Sequence, residues 1–133
     1  MIINIPKAEL LKNVPLAKGW YSALVKKFEA KPSADGKSTN FIYTFDIEKD
    51  HREIDHYFNS KEPRFMEPFL KATLNSKYEL SQVPDGESFS FDTEIPVGNK
   101  VDVELYIDNY MGRLSNKISG FLPYGKSREA PPF

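Results

Sequence analysis

The stretch that decides the fold is Trp20-Tyr-Ser-Ala-Leu-Val-Lys-Lys-Phe-Glu-Ala-Lys31, followed after a polar loop by Asn40-Phe-Ile-Tyr-Thr-Phe-Asp-Ile-Glu48. In the second segment Phe41, Tyr43 and Phe45 alternate with other residues, a period of two that is typical of a β-strand. The first segment is apolar on both faces where it begins and on one face where it ends. The loop between them is rich in Pro, Gly, Ser and Asp, which favour turns. The two segments together predict a long β-hairpin.

The rest of the chain adds one strand, one helix and a second hairpin. Residues 52–59 continue the alternation and predict a third strand. Residues 62–74 change to a helical period, and Pro68 inside them indicates a helix that begins late or is kinked. Residues 100–108 and 113–122 predict two further strands that are joined by a short turn.

The order of three strands, a helix and two strands is that of the five-stranded OB barrel. We therefore predict a mainly β fold with one helix, a five-stranded OB-like barrel, with a small mixed sandwich as the alternative. Phe89 and Phe91 suggest a further short strand between two turns. Residues 1–122 are predicted to form one domain, and residues 123–133 a flexible C-terminal tail, because they are rich in Pro, Gly and charge.

Composition restricts the class of protein. The 133 residues suit one domain, and the absence of cysteine excludes disulfides and thiolate metal sites. The first residues, Met-Ile-Ile-Asn-Ile-Pro, lack the features of a signal peptide, and no apolar run is long enough to cross a bilayer. We expect a soluble protein of the cytoplasm, the host cytoplasm if it is viral, with no membrane partner.

The charge is small overall but unevenly distributed. The formal net charge is −1, so no global basic field indicates a nucleic-acid partner. Residues 1–40 nevertheless carry seven lysines against three acidic residues, whereas residues 46–62 carry six acidic residues against three basic ones. The basic excess therefore lies in the first 40 residues, which include the first predicted strand.

The sequence offers little support for an enzyme. His51 and His56 are the only histidines, and their spacing on a predicted strand places them on opposite faces, which does not suit a metal site. Motifs for a nucleophile elbow, a phosphate loop or a dinucleotide are absent from the sequence. We predict no catalytic activity, no cofactor and no metal, and a small hydrolase that uses one of the histidines is the competing class.

Aromatic and basic residues alternate on the same predicted strands. Proteins that bind single-stranded nucleic acid need planar side chains on which bases stack and cations that follow the phosphates. In a domain of this size, however, half or more of the aromatic residues must be in the core, and lysines alone also suit a solvated face. Tyr57, Tyr106 and Tyr110 are further candidates for stacking. The predicted nucleic-acid-binding residues are Trp20, Tyr21, Lys26, Lys27, Lys31, Lys37, Phe41, Tyr43, Arg113 and Lys117.

Four segments carry a resemblance to a known family. Residues 19–38, which begin Gly-Trp-Tyr and end in Gly-Lys-Ser, and residues 40–45 resemble the opening hairpin of small phage-encoded single-stranded DNA-binding proteins. Residues 97–103 and 110–123 resemble the closing hairpin of the same family. The resemblance implies an OB-type protein without a reaction of its own, which binds single-stranded DNA independently of sequence in phage DNA replication or recombination.

The C-terminus carries a second part of the resemblance. Pro132 and Phe133 match the ending through which many single-stranded DNA-binding proteins recruit replication or recombination proteins. Lys126 and Arg128 depart from the acidic run that precedes this ending in those proteins. The alternative class is a phage virion component or protein-interaction domain whose hairpins pair with neighbouring subunits. The oligomeric state is left open, with a homo-oligomer among the options.

Overall fold

A computed structural model describes residues 1–128 of the protein. The first element is the short helix α1, Lys7–Leu11. A 3-10 turn at Pro63–Met66 leads directly into the main helix α2, Glu67–Leu74. Further 3-10 turns lie at Asn75–Lys77, Leu80–Gln82 and Lys126–Arg128. The main elements are α1 Lys7–Leu11, β1 Gly19–Pro32, β2 Thr39–Ile47, β3 Arg52–Asn59, α2 Glu67–Leu74, β4 Lys100–Tyr110 and β5 Arg113–Pro123.

The strands form one five-stranded antiparallel sheet in the order β3-β2-β1-β4-β5. The long strand β1 lies at the centre, and its first half pairs with β4 while its second half pairs with β2. Ala23 and Leu24 pair with both neighbours, and a bulge between Val25 and Lys27 interrupts the pairing with β2. The sheet does not close, so β3 and β5 are its two edges. The predicted mainly β class, with a three-stranded meander, a helix and a closing hairpin, is confirmed, and the open sheet is consistent with an OB-like fold but does not form the closed barrel.

The core lies between the inner face of the sheet and α2. Tyr43, Phe45 and Phe69 are fully buried, and the Phe69 ring of α2 lies 4.6 Å from Tyr43 and 5.8 Å from Phe45 between ring centroids. Pro68 is in the first turn of α2, where its missing N–H removes no helical hydrogen bond. The expectation that the helix begins late is therefore confirmed, because a 3-10 turn precedes it.

The predicted short strand around Phe89 and Phe91 is wrong. The structure has turns and irregular backbone there, and the two rings stack at a centroid distance of 6.2 Å. Tyr78 meets Phe89 edge-on at 5.0 Å and donates a hydrogen bond of 2.6 Å to Glu67 of α2. The alternation of these aromatic residues therefore produces a small cluster beside the helix and not a strand.

Side chains fix the N-terminal segment against the sheet edges. The guanidinium of Arg52 on β3 donates hydrogen bonds to the carbonyls of Leu11, Lys12 and Val14. The backbone of Leu16 is held by the carboxamide of Asn116 on β5, at 2.8 and 2.9 Å. The buried Leu16 therefore bridges the gap between β3 and β5 at one end.

The first residues of the predicted tail contact the domain. The backbone N–H of Ser127 donates to Asp102 at 3.1 Å, and its hydroxyl donates at 2.5 Å. Arg128 donates a hydrogen bond of 2.8 Å to Ser22 on β1. The chain is thus attached to the sheet as far as the end of its described part. Within residues 1–128, no helix has the length and apolar character needed to cross a membrane.

Candidate nucleic-acid interface

The outer side of β1, β4 and β5 carries exposed aromatic rings and cations. The alternation of β4 turns Val103 and Leu105 into the core and Tyr106 outwards. The register of β4 and β5 places Tyr106 opposite Lys117 and Tyr110 opposite Arg113. Trp20 is 37% exposed, Tyr106 38% and Tyr110 71%. We call Trp20, Tyr106, Tyr110, Arg113 and Lys117 the outer aromatic face.

Trp20 is outside the core, against the backbone of β5. A Cβ added to Gly120 would lie 3.3 Å from Cη2 of the indole, so the glycine makes room for the ring. The sequence left Trp20 open as either a core residue or a stacking platform. The structure places it between the two, half-buried on the outer face with part of the ring in solvent.

The two cations of the outer aromatic face are free of carboxylates. Lys117 and Arg113 have no ion-pair partner within 4.0 Å in residues 1–128. The nearby carboxylate of Glu104 accepts a hydrogen bond of 3.1 Å from Ser119. Because side-chain cations without internal partners are available to phosphates, this face has the residues that a nucleic-acid backbone requires.

Asp102 is an acidic group within the same side of the sheet, but it is fully buried. Burial raises its pKa, while hydrogen bonds from Ser127, Gly125 and Ser22 lower it, and together these place the pKa below its usual value. The carboxylate is therefore ionised at neutral pH and enclosed by donors. Its function in the fold is to attach the C-terminal segment to β4.

The first hairpin offers less free charge than the sequence indicated. Lys26 forms an ion pair with Glu53 on β3. Lys31 forms another with Glu29, with 3.7 Å between Nζ and Oε1. Lys27 and Lys37 have no such partner in the described part of the chain. Two of the four predicted lysines are thus paired within the protein, and the charge of Lys27 acts on Glu53 of β3.

Three predicted aromatic residues lie on the core side of the sheet, and one of them, Tyr43, is fully buried, which corrects its predicted stacking role. Tyr43 is fully buried, its hydroxyl donates to the Thr93 carbonyl at 2.7 Å, and burial raises its pKa. Phe41 packs partly buried against the core. Tyr21 also packs against the core and donates to the Ala17 carbonyl at 2.6 Å. The pleat of β1 and β2 turns these positions toward α2, so none of the three belongs to the outer aromatic face.

A cleft separates β3 from β5 because the backbones of these edge strands do not pair along their length. One end is a cavity of about 1030 Å³ lined by Arg113 and Lys117, among others, and the other end is a cavity of about 440 Å³ next to α2. Tyr57 lines both cavities, so they are neighbours between the two edge strands, and together we call them the β3–β5 cleft. The sequence did not indicate this cleft, because it arises from residues that are far apart in the chain.

The two histidines lie in different environments, and only His56 is on a strand, since His51 precedes β3. His51 is in the turn before β3 with a positive φ of 49° and an exposed side chain. His56 lies in the β3–β5 cleft, where burial and then the nearby charge of Lys117 lower its pKa to about 4. Pro132 and Phe133, the predicted partner-binding residues, lie outside the described residues.

Comparison with models of known protein families gave no match, and comparison with curated proteins gave none either.

Proposed function

We propose that the protein binds single-stranded DNA independently of sequence, on the outer aromatic face. The observation that carries the proposal is the register of β4 and β5, which sets exposed Tyr106 opposite Lys117 and exposed Tyr110 opposite Arg113. Each pair offers a ring and a cation side by side, and Trp20 adds a third ring on the neighbouring strand. This combination suits nucleotides, which have a planar base and a charged phosphate.

The chemistry of the face favours binding of single strands without recognition of their base sequence. Stacking on an aromatic ring accepts every base, whereas the base edges are read by hydrogen-bonding side chains. Lys117 and Arg113 neutralise phosphates, which makes the affinity depend on salt. The proposal includes a role in phage DNA replication or recombination in the host cytoplasm, as the family resemblance implies.

The test uses two lysine variants that differ in their environment. Lys117→Ala removes a free cation of the outer aromatic face, and Lys26→Ala removes a lysine that is already paired with Glu53. Fluorescence anisotropy of a labelled thymidine oligonucleotide gives the affinity at several salt concentrations. We expect Lys117→Ala to flatten the slope of log affinity against log salt by about 0.7, the value for one contact to a single strand, and Lys26→Ala to change it less. Equal slopes in all three proteins would contradict the proposed footprint.

A protein-interaction or virion role is the second candidate, favoured by the N-terminal segment. Met1, Ile2, Ile3 and Ile5 are exposed, and β3 and β5 leave sheet edges unpaired. Exposed apolar residues and open edges are features through which chains associate. Self-assembly that is insensitive to salt, measured by sedimentation without any DNA binding, would favour this role.

A further inference from the structure

The end of the β3–β5 cleft next to α2 has the size and walls of a ligand pocket. Its volume is about 440 Å³. His56 stands edge-on to Phe121, with ring centroids 5.3 Å apart at an angle of 80°. Phe65 lies at the rim with 55% of its surface exposed, and Arg64 lies over its ring at 4.5 Å. Concave pockets with aromatic walls and few polar groups are suited to planar ligands.

Two polar side chains of the wall, Asn59 and Ser119, are already engaged within the protein, and the wall also carries the Glu62 carboxylate and the Tyr57 hydroxyl. The amide nitrogen of Asn59 donates to Ser38 and Asn40, each at 2.9 Å. The hydroxyl of Ser119 donates to Glu104 at 3.1 Å. The cavity therefore offers ring surfaces more than free donors, which favours stacking over recognition of one particular base.

A cation lies close to the cavity, because Lys117 lines the neighbouring larger cavity and its charge acts on His56. Lys117 directly precedes Ile118, a wall residue, and its positive charge contributes to the low pKa of His56. With a pKa of about 4 the imidazole is neutral at pH 7, so Lys117 is the cation on the His56 side of the cavity, while Glu62 is the carboxylate of its wall. A neutral ring wall beside a free cation is complementary to a base and its phosphate.

Strand β5 contributes residues to both the cavity and the outer aromatic face. Lys117 is opposite Tyr106, and Gly120, which lines the cavity, lies under Trp20. We infer that the cavity is a subsite for one unstacked nucleobase of the bound single strand, with Lys117 on the adjacent phosphate. The inference rests on the proposed function. An aromatic side chain of a peptide would fill the same volume but would bring no anion to Lys117.

The proposed DNA binding and the nucleobase subsite are tested together in one NMR titration of the wild-type protein with a thymidine oligonucleotide, in which the two histidines are followed. We expect the ring protons of His56 to shift together with the indole signal of Trp20, while those of exposed His51 stay in place. A shift of Trp20 without one of His56 overturns the subsite and leaves the proposed function standing. If neither residue responds, both are overturned. If N-acetyl-phenylalanine amide shifts His56 and the oligonucleotide does not, the cavity is a peptide pocket and the inference is wrong.

A pair of variants gives an independent test by affinity. Phe65→Ala removes the exposed rim of the cavity, and Leu80→Ala removes a comparably exposed apolar side chain, 59% in solvent, that does not line it. We expect Phe65→Ala to weaken binding of the thymidine oligonucleotide about 5- to 150-fold, the range for the loss of one stacked base, and Leu80→Ala to leave it unchanged. A loss below twofold in Phe65→Ala, with an unchanged melting temperature, would overturn the subsite.

Discussion

Trp20 is neither a core residue nor a fully exposed one. Its indole is supported on one side by the backbone at Gly120 and is 37% exposed. Tyr43, by contrast, is enclosed by the core and hydrogen-bonded to Thr93. Trp20 lies on the outer face and Tyr43 in the core. Variants of these two residues therefore distinguish an effect on DNA binding from an effect on stability.

Trp20→Ala should weaken binding of a thymidine oligonucleotide by about 1–3 kcal/mol, because one stacking surface is lost. Tyr43→Ala should instead reduce the free energy of unfolding by about 3–5 kcal/mol, because it leaves a cavity in the core. Anisotropy titrations and urea unfolding of both variants check this pair. A Trp20→Ala variant that is destabilised like Tyr43→Ala and binds DNA normally would contradict the assignment of Trp20 to the interface.

The pKa of His56 is lowered from 6.5, its ordinary value, to about 4 in the folded protein. The protein should therefore become less stable as the pH falls from about 6.5 to about 4. In this window the unfolded chain takes up a proton at His56 before the folded chain does, so protons favour unfolding. The slope for a single proton is at most about 1.4 kcal/mol per pH unit. Thermal unfolding of the wild type and of His56→Gln between pH 4.5 and 6.5 tests this, with His51→Gln as the control. An unchanged pH slope in His56→Gln would refute it.

At the scale of elements, the alternation of β2 predicted a strand but not which of its faces is inside. Phe41, Tyr43 and Phe45 share one face by their period of two, and only the position of α2 decides that this face is the core. The same limit applies to Lys26, whose partner Glu53 belongs to another strand. The strands and α2 follow from local patterns, whereas exposure and ion pairs depend on which strands become neighbours.

The C-terminal segment is attached to β4 through one buried carboxylate. Asp102→Asn removes the charge that accepts hydrogen bonds from Ser127, and we expect it to lower the free energy of unfolding by about 1.5–3 kcal/mol, the range for bonds to charged groups. Hydrogen exchange at the Ser127 amide should become faster. Asp108→Asn, on the same strand, is the control. Unchanged exchange at Ser127 in Asp102→Asn would show that the attachment does not depend on the charge.

At the scale of the whole molecule, the unclosed sheet brings distant residues to one surface. β5 carries Lys117 and Arg113 between the rings of β4 on one side and the β3–β5 cleft on the other. The sequence predicted these two cations and Trp20 as binding residues, but Tyr106 and Tyr110 were only further candidates, and the cleft was not foreseen. Its walls combine His56 with Phe121, residues that become neighbours only when the sheet curves.

The most direct test of the account is the fluorescence of Trp20, the only tryptophan, during titration with a thymidine oligonucleotide at low and high salt. We predict quenching that saturates, with an affinity that falls as salt rises, because base stacking on the indole and phosphate contacts at Lys117 and Arg113 act together. Oligonucleotide binding that leaves the emission of Trp20 unchanged would contradict an interface on the outer aromatic face. Absence of binding at low salt would contradict the proposed function itself.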